Sequence, residues 1–337
     1  MSKTAKYVFR PAASREEWDW IVSNSPQGTL FSESVYLDAC GRDYDQIVIR
    51  QGDQIKAGLC MIRGADERSC ELDDLVIHNG LLFVHDDTKK SVRARAERFD
   101  VTQATIDFLD AHYDHVELAL SPAFEDMRPF LWHHYHETDM SLKYKLDLRY
   151  TSYLDISGLM GEVASFEETQ CFRAMDTLRQ RHVRDAIRRG ATVTAADGPS
   201  RLISFYQALM EGQGEGASPD KLQRMSGLIG DLVAAERAAV YEVFNEERVA
   251  VYTVVYGWDA KRAYYLFGAG HPEQSESYQG TFAHWSAFLG LAGRRGVREV
   301  DLEGTNSPQR GWFKLSFGGK LLPYYEVSLG RSTRIAS

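Results

Sequence analysis

The stretch that decides the fold lies near the end of the sequence: "DLEGTNSPQRGWFKLSFGGKLLPYYEV", residues 301–327. A strand-like run ends in two acids, Asp301 and Glu303, and a polar loop follows. Lys314 then stands among aromatic residues, and a double glycine leads into a second strand-like run. A lysine in such a place is either an amphipathic side chain that buries its stem or a cation that serves a reaction.

A lysine cation among apolar residues can stabilise negative charge that develops on a substrate. When an amine attacks an ester or thioester, the carbonyl oxygen gains negative charge, and a positioned cation stabilises it. Lys314, held by Trp312, Phe313 and Phe317, suits that role. Alternation along the preceding strand predicts that Asp301 and Glu303 share one face, where either accepts the amine proton or orients the acceptor.

The composition limits the class of protein. A chain of 337 residues predicts two domains. Its net charge of −9 disfavours a basic nucleic-acid surface, so we expect no DNA partner. The four cysteines show no CxxC pairing, which is typical of reduced, half-buried thiols in a cytoplasmic protein. No apolar run is long enough for a signal peptide or a membrane span.

The sequence also contains two copies of one pattern. Residues 46–62 and 239–257 both read as strand, polar turn and strand, each preceded by a helix and followed by a helix and a short apolar strand. Ser14 with Glu17 forms a capping-box pattern before the first helix, and Ser200 is the matching cap. Three matches in the same order predict a duplicated α/β (mixed α+β) fold, each copy a mixed sheet flanked by helices. We place the boundary between residues 1–156 and 157–337.

An arginine-rich helix opens the second copy, within residues 165–190. Arg181, Arg184 and Arg188 fall on one helical face, and Gly190 is a natural end for the helix. Arginine forks match phosphate oxygens, so this face is a candidate site for a diphosphate or nucleotide. The alternative is a solvated face balanced by nearby acids.

A histidine-rich segment, "LWHHYHE", invites a metal interpretation. If it is a strand, His134 and His136 lie on one face beside His133. No second group of ligands is visible in the sequence, and the neighbouring aromatic residues indicate ordinary packing. We therefore predict no metal site and no tightly bound cofactor.

The C-terminal stretch resembles the signature of the FemABX-type, or FemAB-like, aminoacyltransferases of the GNAT superfamily. The likeness lies in the box "FKLSFGG", residues 313–319, after a strand that ends in an acidic-glycine turn. The helix "LRQRHVRDAIRRGATVT" is similar to the helix of that family, with Arg184 and Ile187 in register. The resemblance covers roughly residues 150 to 327 and is weaker before them.

This resemblance implies two tandem GNAT-like domains and an acyltransferase. The donor would be an acyl-CoA or an aminoacyl-tRNA, and the acceptor an amine on a small-molecule or nucleotide-linked substrate. The usual GNAT pyrophosphate loop is replaced by "SYQGTFAHW", residues 277–285, which has a single glycine. The resemblance implies the donor-binding residues Tyr278, Gln279, Gly280 and Thr281. Phe313 and Asn306 join the three arginines as candidate substrate-binding residues.

Two classes of function remain open. The first is an N-acyltransferase for a nucleotide-linked amino sugar or peptide in cell-envelope or polysaccharide biosynthesis, or its aminoacyl-tRNA-dependent, peptide-bond-forming counterpart. The second is a catalytically silent relative that binds such a ligand. The intact Lys314 with its neighbouring acids favours the enzyme, and the acidic chain disfavours a tRNA partner.

Overall fold

The computed structural model describes residues 6–161, 165–212, 214 and 216–330. The chain forms two compact units. The first consists of the described residues of Met1–Asp38, Arg42–Arg149 and Pro323–Ser337, and the second of those of Ala39–Gly41 and Tyr150–Leu322. The predicted boundary after residue 156 divides the sequence repeat and stays a prediction.

Both units contain helices and strands. The helices are α1 Arg15–Ser23, α2 Ser34–Ala39, α3 Ser91–His112, α4 Arg128–Trp132, α5 Gln170–Ala174, α6 Thr177–Arg188, α7 Ser200–Gly212, α8 Pro219–Ala234, α9 Ser277–Arg295 and α10 Pro308–Leu315. The strands are β1 Val8–Pro11, β2 Tyr44–Gln51, β3 Gln54–Ile62, β4 Ser69–Cys70, β5 Gly80–Phe83, β6 His115–Ala119, β7 Lys145–Asp155, β8 Thr192–Ala196, β9 Ala238–Phe244, β10 Ala250–Trp258, β11 Ala263–Gly270, β12 Glu299–Asp301 and β13 Lys320–Gly330.

The first unit is built on an antiparallel sheet with the strand order β1-β2-β3-β5. The predicted hairpin is β2 and β3, which turn at Gly52 with φ +58°. β6 pairs in parallel with β4 and antiparallel with the end of β13. Apolar residues of these strands pack with the buried face of α3, including Ile106 and Leu109, to form the core of this unit.

The second unit has the strand order β7-β12-β11-β10-β9-β8. β11 and β12 are parallel, and the other pairs are antiparallel, so the sheet is mixed as predicted. The second predicted hairpin is β9 and β10. Helix α9 is buried along much of its length, and Trp285 and Phe288 join the core. This packing fixes the first turn of α9 and the ends of β11 and β12, where the candidate site lies.

The two units repeat one connectivity. β1, β2, β3 and β5 correspond in order and direction to β8, β9, β10 and β11, and a long helix then leads into β6 or β12. The last strand of each sequence copy pairs with a strand of the other copy. β7, the last strand of the first copy, pairs with β12, and β13, the last strand of the second copy, pairs with β6. The predicted mixed fold of two similar domains is therefore confirmed, with the final strands exchanged between the copies.

Helix ends follow the sequence in most places. Ser14 Oγ accepts a hydrogen bond from Glu17 N over 3.2 Å, as a capping box requires, although the Glu17 carboxylate accepts from Ala13 N. Ser200 is the first residue of α7 and does not precede it, so its predicted position as the cap is wrong. Gly190 has φ +73° immediately after the C-cap of α6, as predicted.

Two segments differ from the sequence-based expectations. The helix predicted within residues 165–190 is divided into a 3₁₀ turn at Phe166–Glu168, α5 and α6. Asp176 starts α6 by accepting a hydrogen bond from Leu178 N over 2.8 Å. The histidine-rich segment is not a strand, because α4 ends at Trp132 and a turn follows. The expectation that His134 and His136 lie on one face of a strand is therefore wrong.

The cysteines form no disulfide, and they are more deeply buried than the half-buried thiols that the sequence predicted. Cys40, Cys60, Cys70 and Cys171 are all buried and free. Among the described residues, no helix is both long enough and apolar enough to cross a membrane. The cytoplasmic location stays a prediction.

Candidate active site

Two buried acids lie at the end of β12. Asp301 is the last residue of the strand, and its Oδ1 accepts hydrogen bonds from the Thr151 hydroxyl and, over 2.9 Å, from Glu303 N. Glu303 lies beyond the strand with φ +55°, a backbone conformation that non-glycine residues seldom adopt. The predicted proximity holds, but its stated cause is wrong: a left-handed turn brings the acids together, and strand alternation does not.

Glu303 carries a carboxyl group that is held away from water. The residue is 5% exposed, and within the described part of the chain neither carboxyl oxygen has a hydrogen-bond partner. Burial raises its pKa well above the ordinary range, and the negative charge of Asp301 raises it further. Burial also raises the pKa of Asp301 to about 6. Buried polar groups usually have well-formed hydrogen bonds, so this buried acid beside Asp301 marks the turn as a candidate functional site.

Lys314 reaches these acids from helix α10. Its Nζ donates hydrogen bonds to the backbone carbonyl oxygens of Glu303 at 2.9 Å and Gly304 at 3.2 Å. The ammonium also lies over the Tyr265 ring, 5.0 Å from its centroid. Burial lowers the pKa of Lys314 to about 8, although the charges of Glu303 and Asp301 oppose this shift.

The aromatic surroundings of Lys314 differ in part from the prediction. Trp312 is 66% exposed, because the helix turns it away from the core, so it does not hold the lysine stem. Phe313 and Phe317 contact each other edge to face at 5.4 Å, and Phe317 is buried. Tyr265 on β11 supplies the ring under the cation. The strand-like sequence "AYYLFGAG" indicates buried aromatic residues but does not indicate which group they contact.

The double glycine after α10 has the expected steric reason. Gly318 has φ +88°, and a Cβ there would lie 2.5 Å from the Ala174 carbonyl oxygen. A Cβ on Gly319 would lie 2.3 Å from Ser152 Oγ. Only glycine permits this close approach, which fixes the end of the helix that carries Lys314.

The three predicted arginines share one face beside a cavity of about 550 Å³. Arg184 pairs with Glu167 at 2.9 Å, and Arg188 pairs with Asp185 one turn away. Among the described residues, Arg181 has no ion-pair partner. The structure thus gives two of these arginines an ordinary surface role and leaves Arg181 as the candidate for an anion. The first residues of α9 line the same cavity.

The residues expected at the donor site form the first turn of α9. Tyr278, Gln279, Gly280 and Thr281 are buried, so their side chains serve packing and capping. The Gln279 side chain accepts from Glu276 N over 2.7 Å, and a Cβ on Gly280 would lie 3.1 Å from the Tyr252 ring. Of these four residues, Tyr278 alone lines the cavity near the arginines. Their role toward a donor stays a prediction.

The candidate substrate-binding residues Asn306 and Phe313 also have structural contacts. Asn306 Oδ1 accepts a hydrogen bond from Tyr150 N over 2.7 Å, which fixes the loop before α10. Phe313 is partly buried, and its ring lies 5.5 Å from that of His284. Asn306 therefore supports the loop, and the roles of both residues toward a substrate stay predictions.

Arg179 is a site residue that sequence reasoning missed. Its guanidinium donates to Ser316 Oγ at 2.9 Å and to Thr281 Oγ1 at 2.7 Å, and lies over the Phe313 ring at 4.7 Å. Burial lowers its pKa. Arg179 thus connects α6, α9 and α10. The prediction considered only the arginines on the helical face of Arg181, and Arg179 lies outside that face.

Comparison with known proteins agrees with this geometry. Residues 175–312 match the family model described as an acetyltransferase (GNAT) domain. Residues 175–312 form a GNAT domain. Within that match lie the two acids and most of the arginine helix, and Lys314 follows directly after it. This part of the chain is thus a GNAT acyltransferase domain, as the C-terminal box predicted.

Solved structures share the fold over nearly the whole chain. FemX superposes with a TM-score of 0.66 at 12% identity, covering 96% of this chain and 97% of FemX. A tandem GNAT protein from the clavulanic acid biosynthesis pathway gives 0.53 at 12% identity, with coverage of 97% and 99%. The C-terminal domain of a putative lysylphosphatidylglycerol synthetase from Agrobacterium fabrum gives 0.51 at 11%, with coverage of 94% and 91%.

These likenesses confirm the predicted fold, which is that of tandem GNAT and FemAB-like proteins. At 11–12% identity they carry the fold and not the substrate. No curated protein sequence matches the chain significantly. The identity of donor and acceptor therefore has to be argued from the residues of the site.

Proposed function

We propose that the GNAT acyltransferase acts on an amine acceptor, with the acyl or aminoacyl group coming from a thioester or an ester. The observation that supports this most directly is the contact between the partly buried Lys314 and the buried Glu303. A cation whose pKa is lowered to about 8 touches the backbone of an acid whose carboxyl oxygens have no hydrogen-bond partner in the described chain. Such a pair provides charge for an oxyanion and a group for proton transfer.

The reaction follows from these two groups. The acceptor nitrogen forms a bond to the donor carbonyl carbon while the carbonyl π pair moves onto oxygen, which the Lys314 ammonium stabilises. The Glu303 carboxylate takes the proton that the nitrogen loses. When the carbon–sulfur or carbon–oxygen bond breaks, the leaving group receives that proton, so the enzyme ends in its starting state. Asp301 holds the Glu303 backbone by accepting its N–H.

The arginine face supports a phosphate-bearing ligand. Arg181 is exposed beside the cavity at the start of α9, and its guanidinium can bind phosphate oxygens there. We assign this face to a nucleotide-linked amino sugar or peptide acceptor used in cell-envelope or polysaccharide biosynthesis. The donor is an acyl-CoA or an aminoacyl-tRNA. Aminoacyl-tRNA-dependent peptide-bond formation is the alternative within the same chemistry, since the C-terminal box resembles that of the FemABX-type aminoacyltransferases.

A ligand panel tests these assignments. Purified protein is heated with acyl-CoA esters, UDP-linked amino sugars and peptides, and aminoacyl-tRNA with its deacylated form. A ligand that binds the native state raises the melting temperature. At a hundred times its Kd, the ligand adds about 2.7 kcal/mol to the free energy of unfolding. Ligands that give a shift are then tested in pairs for transfer. Binding without turnover by any pair would favour a catalytically silent relative.

A further inference from the structure

A cluster of two histidines and an aspartate lies in the first unit, apart from the residues of the candidate active site. His133 and His134 follow α4, and Asp110 comes from the last turns of α3. One potential ligand atom from each residue lies within 4.8 Å of the other two. His133 Nε2 is 3.4 Å from Asp110 Oδ1. The histidine segment alone gave no ligand group in the sequence, because the third member stands on another helix.

His133 carries the observation that points to a ligand. The residue is buried, and its Nε2 faces Asp110 Oδ1 at 3.4 Å without a hydrogen bond of good geometry in the described chain. A buried imidazole nitrogen without a well-formed hydrogen bond is uncommon, because the nitrogen has lost water without a full replacement. An ion placed between this nitrogen and the Asp110 carboxylate would bind both groups.

The backbone brings the second imidazole to the same place. His134 has φ +48°, a left-handed conformation that non-glycine residues seldom adopt. The His133 and His134 rings lie 4.2 Å apart between centroids. His134 is exposed, so its ring has room to adjust. The turn thus presents two adjacent imidazoles, one buried and one adjustable, beside a carboxylate.

We propose that Asp110, His133 and His134 bind a divalent transition metal ion of the zinc type. Two imidazoles and one carboxylate suit Zn²⁺, whereas Mg²⁺ and Ca²⁺ prefer oxygen ligands. Tetrahedral bonds of about 2.0 Å place ligand atoms roughly 3.3 Å apart. His133 Nε2 and Asp110 Oδ1 are already 3.4 Å apart, and the exposed His134 ring would turn to complete the set. Water fills the remaining position. The ion would join the end of α3 to the turn after α4.

The experiment uses the full chain after removal of metal with a chelator. Zn²⁺ is titrated by calorimetry, and Co²⁺ is added separately because its visible absorption reports a nitrogen- and oxygen-liganded site. The variants are His134→Gln and Asp110→Asn, since neither empties a buried core position. His85→Gln is the matched control, because His85 Nε2 lies 2.8 Å from Asp87 Oδ1 in an exposed pair of the same unit.

The proposal expects one equivalent of Zn²⁺ bound by the wild type and by His85→Gln. Loss of one ligand should weaken binding by about a hundredfold or more, since even partners outside the ligand shell are worth about 10–100-fold. The Co²⁺ bands should disappear in both cluster variants. The proposal is overturned if the wild type binds no stoichiometric Zn²⁺, or if either cluster variant binds as the wild type does. Circular dichroism checks that each variant is folded.

Discussion

Lys314 Nζ donates a hydrogen bond of 2.9 Å to the backbone carbonyl of Glu303, while the carboxyl oxygens of Glu303 have no hydrogen-bond partner in the described chain. The lysine therefore holds the turn that presents the acid without neutralising it through a direct bond. The left-handed backbone of Glu303, at φ +55°, is the strained element of this arrangement. Strain and an unpaired buried acid in one residue are typical of a functional site.

Replacing Glu303 by Gln separates function from stability. The amide keeps the shape but cannot accept the amine proton, so we expect turnover to fall by about 10²–10⁴-fold. The melting temperature should not fall, because a buried carboxyl without partners is costly in the wild type. Single-turnover transfer and thermal melts measure both. Glu299→Gln, at the start of the strand β12 that precedes Glu303, is the control and should stay within a few-fold of wild type. An active Glu303→Gln would remove the acid from the mechanism.

The lowered pKa of Lys314 predicts opposite effects of pH on activity and on stability. Activity should fall as pH rises through about 8, because the ammonium loses its proton. The unfolded lysine keeps its proton up to about 10.4, so between these values the unfolded state binds more protons and the free energy of unfolding rises with pH.

Two measurements check this prediction. The first is kcat/KM as a function of pH for the wild type and Lys314→Arg, whose charge persists at high pH; the descending limb should move upward in the variant. The second is the difference in unfolding free energy between wild type and Lys314→Met across the same range. If the free energy of unfolding of the wild type does not rise relative to that of Lys314→Met above pH 8, the pKa of the lysine is not lowered in the folded protein.

Arg181 should carry the anion contact of the arginine face. Arg181→Gln removes an exposed cation without an ion-pair partner among the described residues, so we expect phosphate-bearing ligands to bind about tenfold more weakly, ~1.4 kcal/mol. Replacing Arg181, Arg184 and Arg188 together should add little to the loss, because the other two already pair with acids. Calorimetry at two salt concentrations measures the effect. Arg298→Gln is the control, and unchanged affinity in the triple variant would make the face an ordinary solvated surface.

Gly318 predicts a purely structural effect. Gly318→Ala puts a Cβ 2.5 Å from the Ala174 carbonyl at φ +88°, which should cost about 1–3 kcal/mol in the free energy of unfolding. Urea denaturation measures it. Gly227→Ala, in the interior of α8 with open space around it, is the matched control and should be neutral or stabilising by about 0.5–1 kcal/mol. Equal stability of the two variants would contradict the close approach.

The sequence predicted the parts of the fold that depend on local pattern. Hairpins, capping residues and the glycine after α6 follow from turn chemistry and periodicity, and the hairpins and Gly190 were found as predicted. The exchange of the last strands was not predictable, because β7 and β13 have the same strand pattern whichever partner they take.

The sequence predicted which residues form the site, but it did not predict the backbone that brings them together. Lys314, Asp301 and Glu303 come together, but through a left-handed turn and a helix that no periodicity indicates. Trp312 was expected beside the lysine and is exposed, since a helical register places it opposite the buried face. Arg179 was missed because its partners, Ser316 and Thr281, are far from it in sequence.

Lys314→Met tests the central claim most directly. Methionine keeps much of the apolar stem and removes the charge, so the variant should fold and bind acceptor with near-normal affinity. Lys320→Met, at an exposed lysine nearby in sequence, is the matched control. The measurement is single-turnover transfer with the donor and acceptor found by the ligand panel, beside acceptor affinity and melting temperature. The account predicts a loss of roughly a hundredfold or more for Lys314→Met alone; turnover within a few-fold of wild type would contradict it and leave Lys314 a structural side chain.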